Sequence, residues 1–181
     1  SNCLIGIKLE SPLEFIINWF ACNFLGIISV LINPNLKDHE LDKIIKSVQL
    51  NKLITTRNAN NLNVKDLLFI EDLPSISTYG DEITSNQMQV EETATIIFTS
   101  GSHGEPKPVE LSTQNFFSSY KNWNDEIKFN LDDKIINCLP IHHVAGISSI
   151  FRGLMSNTPV IIQNKFELKT FIDDCIRLQP K

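Results

Sequence analysis

Over residues 4–55, short apolar runs of strand type alternate with longer runs of helical period, and no other feature limits the fold as much. Residues 4–10, LIGIKLE, read as a strand. Ser11-Pro12-Leu13-Glu14 then opens a helix: serine is a good N-cap, proline suits the first helical position, and the glutamate completes a capping box. Leu13, Ile16, Ile17, Phe20 and Phe24 recur at helical spacing to about Leu25, and Gly26 ends the run. IISVLIN is the next strand, and Asn33-Pro34-Asn35 turns the chain. From Asp38 a second helix sets Leu41, Ile44, Ile45 and Val48 on one face, followed by the short strand KLITT. The order β-α-β-α-β is the pattern of a parallel sheet with crossover helices.

Residues 15–32 are apolar enough to imitate a membrane span. The capped start and the glycine break divide them into a helix and a strand instead, and no basic segment with a following apolar core marks a secretory signal. Residues 73–93 are polar and aperiodic and read as a surface connection. TATIIFTS resumes as a strand. After a glycine-rich loop comes a helix with Phe116, Phe117, Tyr120 and Trp123 inward. KIINCLP and PVIIQ are strands on either side of a helix in AGISSIFRGLM. ELKTFIDDCIRL is a helix with Leu168, Phe171, Ile172, Cys175 and Ile176 on one face. The fold class is α/β, with mostly parallel sheet flanked by helices, in a single domain over residues 1–181. The chain stops after a helix where such a fold would add a strand, which reads as a cut.

Charge narrows the partners. A net charge of −5 with no basic stripe disfavours nucleic acid. Cys3, Cys22, Cys138 and Cys175 form no C-x-x-C pair and read as reduced, mostly buried thiols of a cytoplasmic protein. Neither a disulfide framework nor a zinc site is expected. The sequence sets no oligomeric state.

The stretch TSGSHGEPKPVE, residues 99–110, is poor core material and good material for holding a polyanion. A glycine-rich turn between a strand and a helix aims backbone N–H groups at phosphate oxygens. Gly101 and Gly104 let a ligand approach the backbone closely. Thr99, Ser100 and Ser102 add hydroxyl donors, and Lys107 adds a point charge suited to phosphate. Pro106 and Pro108 bracket the lysine and restrict the loop before binding. The Walker pattern G-x-x-x-x-G-K-[ST] does not fit, because the glycines are too close and a proline follows Lys107. A solvated turn is the alternative reading.

Residues 98–109, FTSGSHGEPKPV, closely resemble the [YF]-T-S-G-[TS]-T-G-x-P-K-G-V signature of the acyl-adenylate-forming (AMP-binding) enzymes, which include acyl-CoA synthetases, firefly luciferase and peptide-synthetase adenylation domains. His103 stands where a second threonine is usual, and Pro108 where a glycine is. LPIHHVAG, residues 139–146, is similar to the family's L-P-x-[FY]-H-x-x-G, with His143 on the histidine and His142 at the aromatic position. Taken alone, a histidine after a strand end reads rather as a satisfied core residue. Ala21, Gly26, Val30, Asn33 and Pro34 match a third, architectural segment in order. His143-Val144-Ala145-Gly146-Ile147-Ser148, with Arg152 beyond, resembles the o-succinylbenzoate-CoA ligases in particular. Arg152 suits the distal carboxylate of a two-carboxylate acid; a helix-surface arginine is the other reading.

The resemblance implies the first part of an N-terminal domain and two half-reactions: a carboxylate attacks the α-phosphate of ATP to give acyl-AMP, and CoA then takes the acyl group. It implies Lys107 and His143 as catalytic residues. Thr99, Ser100, Gly101, Ser102, His103, Gly104 and Lys107 would hold the nucleotide, and His143, Gly146 and Arg152 the acid. ATP with Mg2+, CoA and a small carboxylic acid are the implied ligands, with no protein metal ligands and no membrane span. The family's later motifs, including the ribose aspartate and the C-terminal-domain lysine, would lie beyond residue 181, so these residues alone are not expected to turn over. Two alternatives stay open: a fatty or aryl acid-CoA ligase of the same family, and a catalytically silent acyl-binding relative.

Overall fold

The computed structural model describes residues 3–58, 62–73, 90–100, 105–130 and 132–180. It divides into two compact units, Ser1–Ser112 and Thr113–Lys181. The first contains β1 (Leu4–Ile7), α1 (Pro12–Phe24), β2 (Ile28–Leu31), α2 (Asp38–Ser47), β3 (Lys52–Thr55), β4 (Asp66–Phe69), β5 (Thr93–Ser100) and β6 (Pro106–Ser112). Its six-stranded sheet runs β4-β3-β1-β2-β5-β6. Every neighbouring pair is parallel except β5 and β6. The fold is the expected mixed α/β class, with helices flanking a mostly parallel sheet.

The chain steps from β1 to β2 in one direction across the sheet and from β2 back past β1 to β3 in the other. Right-handed crossovers then require α1 and α2 to lie on opposite faces. The packing of β2, buried along its whole length, agrees. Ile28, Val30 and Ile32 join Leu41, Ile44 and Ile45 of α2, with Leu50, Leu53 and Ile96, in one apolar cluster. Ser29 faces the other way, towards α1. There the Trp19 indole N–H donates to Thr95 Oγ1 at 2.9 Å, and the Ser29 and Thr95 hydroxyls are 3.2 Å apart. Ser29 Oγ also donates to the Ala94 carbonyl at 3.2 Å.

Ser11 caps α1 as its sequence requires, accepting from the Glu14 N–H at 3.4 Å, and Gly26 takes a φ of 69° directly after the C-cap Leu25. The buried face differs from the expected one. Phe15, Ile16, Trp19 and Cys22 are buried, whereas Leu13 and Ile17 are exposed. Apolar residues surround most of this helix, so periodicity alone does not choose a stripe. The sheet chooses it, through the partner that the Trp19 indole requires when buried. Among the cysteines, all free, only Cys22 is buried and Cys3 is exposed, which corrects the expectation of mostly buried thiols. Burial and the neighbouring Cys3 push the Cys22 thiol up to about 11.

The second unit contains α3 (Thr113–Ile127), β7 (Ile135–Asn137), α4 (Val144–Met155), β8 (Val160–Ile162) and α5 (Leu168–Leu178), with β7 and β8 paired in parallel. Of the four aromatic residues expected inward on α3, Phe116 is buried, while Phe117 and Trp123 are exposed. Phe116 and Phe117 both lie against Phe151 of α4, with ring centroids 5.5 and 5.2 Å away. Helix α5 forms where its period indicates, yet Leu168, Ile172 and Ile176 of its apolar face are exposed. Among the described residues no helix is long and apolar enough to cross a membrane.

The substitution Trp19→Phe removes a buried donor and opens space beside two buried hydroxyls. It should cost about 2–4 kcal/mol of unfolding free energy, seen as a lower urea midpoint with an unchanged slope. An unchanged midpoint would show that α1 is held by area alone.

Candidate functional site

The loop expected between a strand and a helix is instead the tip of a β-hairpin. β5 and β6 pair antiparallel from Thr93↔Ser112 to Ser100↔Pro106, so the glycine-rich turn joins two strands. Helix α3 begins only after β6, so the loop does not run directly into a helix. β6 escaped the sequence reading because Pro106 and Pro108 argue against a strand. It is the edge strand of its sheet, where proline is tolerated and discourages further pairing.

Gly101, Ser102, His103 and Gly104 lie outside the described residues, as does the Ser100 side chain. What frames them is clear. Thr99 and Lys107 stand directly opposite each other in the antiparallel register and both are exposed. Cross-strand partners project to the same face, about 5 Å apart at Cβ, so the hydroxyl-bearing and the ammonium-bearing side chain leave one face at the base of the turn. Among the described residues Lys107 has no ion-pair partner, and its charge is open to a ligand. Glu105, at the end of the turn, accepts from Lys43 of α2 at 2.7 Å. That pair is exposed and contributes roughly 0–1 kcal/mol, enough to bias the turn but not to hold it. No motif pointed to it.

In the second unit a tight turn carries the histidines. His143 is the N-cap of α4; its carbonyl accepts the Ile147 N–H at 3.1 Å, and its own N–H donates to the Pro140 carbonyl at 3.1 Å. Its side chain makes no capping bond and is exposed. Asn137, buried at the end of β7, accepts from the Leu139 N–H at 3.0 Å and donates to the Gly146 carbonyl at 3.4 Å. Sequence reasoning missed Asn137, which carries no signal beyond its place at a strand end. Gly146 is needed for close approach: a Cβ there would fall 2.2 Å from the Pro140 oxygen.

His142 is half-buried, with its ring centroid 4.4 Å from that of His143 and the planes inclined at 48°. Burial first, and then the charge of His143, lower the His142 imidazole from its ordinary 6.5 to about 4. Arg152, on the third turn of α4, lays its guanidinium 4.2 Å from the centre of the Trp123 ring and donates from Nη2 to Ser119 Oγ at 2.8 Å. Its buried Nε has no partner among the described residues, and burial lowers its pKa without neutralising a guanidinium. Among the described residues no three His, Cys, Asp or Glu side chains gather into a metal cage.

The sheet, the hairpin with its paired hydroxyl and ammonium, and the histidine turn agree with a broader comparison. The sequence profile of the AMP-binding enzymes matches residues 3–181, and the chain belongs to that family. It is 26% identical over 170 residues to the 2-succinylbenzoate–CoA ligase of Bacillus pumilus, an alignment covering 93% of this chain and 35% of that protein. The corresponding ligase of Staphylococcus epidermidis is 26% identical over 163 residues, covering 90% and 34%. The chain thus spans about a third of the length of the curated relatives it matches. Among solved structures it is similar to o-succinylbenzoate CoA synthetase (MenE) of Bacillus subtilis in complex with the acyl-adenylate intermediate OSB-AMP, with a TM-score of 0.88 and 23% identity over 100% of this chain and 48% of that one. ATP-bound MatB of Rhodopseudomonas palustris gives a TM-score of 0.84 at 21% identity, over 98% and 38%. These two likenesses establish the fold.

Two outcomes follow from the histidine turn. In Gly146→Ala the added methyl meets backbone, which cannot rotate away, so the turn must shift; a loss of about 1–3 kcal/mol should appear in thermal unfolding. His142, neutral when folded and free to charge when unfolded, makes the unfolded state the better proton binder between pH 6.5 and 4. Stability should therefore fall as the pH drops through that window. In an NMR titration, the ring signal that disappears in His142→Phe should stay still near neutrality and move only towards pH 4.

Proposed function

We propose that the intact protein is an ATP-dependent acid–CoA ligase of the cytoplasm. The observation that carries this reading is the β5–β6 hairpin, whose register puts Thr99 and the open Lys107 on one face at the base of a segment rich in glycine and hydroxyl groups. Thr99, Ser100, Ser102, His103 and the backbone at Gly101 and Gly104 would donate to the β- and γ-phosphates, with Lys107 as the charge partner. His143, exposed at the start of α4, would border the acid, and Gly146 keeps its turn tight. A carboxylate oxygen would attack the α-phosphorus, expelling pyrophosphate and leaving acyl-AMP; the CoA thiol would then attack the acyl carbon and expel AMP. Positioning and preorganised charge supply most of the help in such steps. Magnesium has no cage among the described residues and would enter on the phosphates of the nucleotide.

The acid we favour is o-succinylbenzoate, in menaquinone biosynthesis. Support comes from the residue pattern His143 to Arg152 and from the relatives named as 2-succinylbenzoate–CoA ligases. Arg152 would meet the second carboxylate through its guanidinium end. ATP–pyrophosphate exchange by the intact protein tests both levels. Exchange with o-succinylbenzoate is expected. Exchange only with a fatty or aryl acid would redirect the substrate, and exchange with no acid would leave an acyl-binding relative without catalysis. Lys107→Ala should lower kcat/KM for ATP by about 10- to 100-fold, the worth of one hydrogen bond to a charged group.

A further inference from the structure

The backbone of His143 is fixed, but its side chain is not. Its N–H and carbonyl are both engaged, while its imidazole makes no capping bond and stands exposed. An exposed side chain on a fixed backbone samples several staggered rotamers. Among the described residues its one aromatic partner is His142, half-buried, with ring centroids 4.4 Å apart and an inclination of 48°. We propose that His142 is a positioning residue: its ring is a wall that holds the His143 imidazole in one orientation and so sets how His143 meets the substrate acid. This rests on the reading of His143 as the residue that borders the acid.

Three features support the wall. His142 belongs to the turn that Asn137 and Gly146 clamp, so its own backbone is held on both sides. Its half-burial restricts its rotation more than that of exposed His143. Burial and the charge of His143 also keep it neutral at ordinary pH, so the ring pair is spared repulsion between two cations. A neutral ring beside a second ring is attracted through its face and edge, and that needs an aromatic shape, not an imidazole. The prediction that separates wall from ligand is therefore rescue by phenylalanine.

The experiment is acid-dependent ATP–pyrophosphate exchange by the intact protein carrying His142→Ala, His142→Phe, His143→Ala and the double change to alanine. His142→Ala should raise the KM for the acid or lower the exchange rate by about tenfold, with the KM for ATP nearly unchanged; misplacement of a reacting group has effects of this size. His142→Phe should restore most of the loss. In the His143→Ala background, His142→Ala should add nothing. If His143→Ala is impaired and His142→Ala is not, the wall is refuted while the reading of His143 stands. If phenylalanine fails to rescue although the protein melts like wild type, His142 acts through its nitrogens and the proposal is wrong. If His143→Ala behaves as wild type, the reading of His143 itself has failed, and the proposal with it.

Discussion

A tryptophan that must find a hydrogen-bond partner inside the protein decides how the first unit is assembled. Trp19 reaches Thr95, and Thr95 shares its hydroxyl with Ser29, so three elements, α1, β2 and β5, meet at two buried hydroxyls. Each hydroxyl in this group has a partner, as a buried polar group must to avoid a cost of about 1–3 kcal/mol. The bond also fixes register. Thr95 pairs with Ser29 in the parallel ladder between β2 and β5. Because β5 runs on into the hairpin turn, the placement of Thr99 and Lys107 descends from the same contact. A slip of one residue in β5 would turn Thr95 away from Trp19 and reverse the face on which Thr99 stands.

The second unit solves a similar problem with backbone. Its histidine turn buries Ile141 and is held by a glycine that allows contact with the Pro140 carbonyl and by a buried asparagine bonded on both sides. Arg152 and Trp123 then join α4 to α3. A guanidinium loses hydration when half-buried there, and the π face of the indole returns about 1–2 kcal/mol of that loss. The two units thus place exposed polar groups on stiff supports by different means, one through a sheet register and one through a clamped turn. Functional groups carried on short loops over rigid scaffolds need such supports.

Much of the scaffold was legible because its local signals agree. Ser11-Pro12-Leu13-Glu14 announces α1, Gly26 ends it, and the spacing of Leu41, Ile44 and Ile45 both makes α2 and buries it. Three things were not legible, each for a physical reason. The buried stripe of α1 depends on Thr95, a residue 76 positions away in sequence. β4 is short and only partly buried, so it lacks the apolar run that marks a central strand. β6 contains prolines, and only its edge position, a property of the whole sheet, makes them acceptable. At the candidate site the residue types were readable from the motifs, while their supports, Asn137 and Glu105 with Lys43, were not. Such supports are ordinary polar residues whose role arises only from what the fold brings near them.

The hairpin also changes the account of how a polyanion would be met. A glycine-rich turn leading into a helix lends the partial positive charge of the helix end, equivalent to about half an elementary charge. Here the turn leads into an edge strand, and sheet dipoles are small. What the hairpin itself offers a polyanion must therefore come from discrete groups: backbone amides, hydroxyls and Lys107. Lys107 is suited to this because it is exposed and without an ion-pair partner among the described residues, so no protein group competes with a ligand for it. Pro106 and Pro108 have a role in the same argument. Each removes backbone freedom beside the lysine, and strand pairing to Ser100 and Phe98 removes more, so less entropy remains to be lost on binding. The prolines that obscured the strand in the sequence are thus part of what prepares its cation.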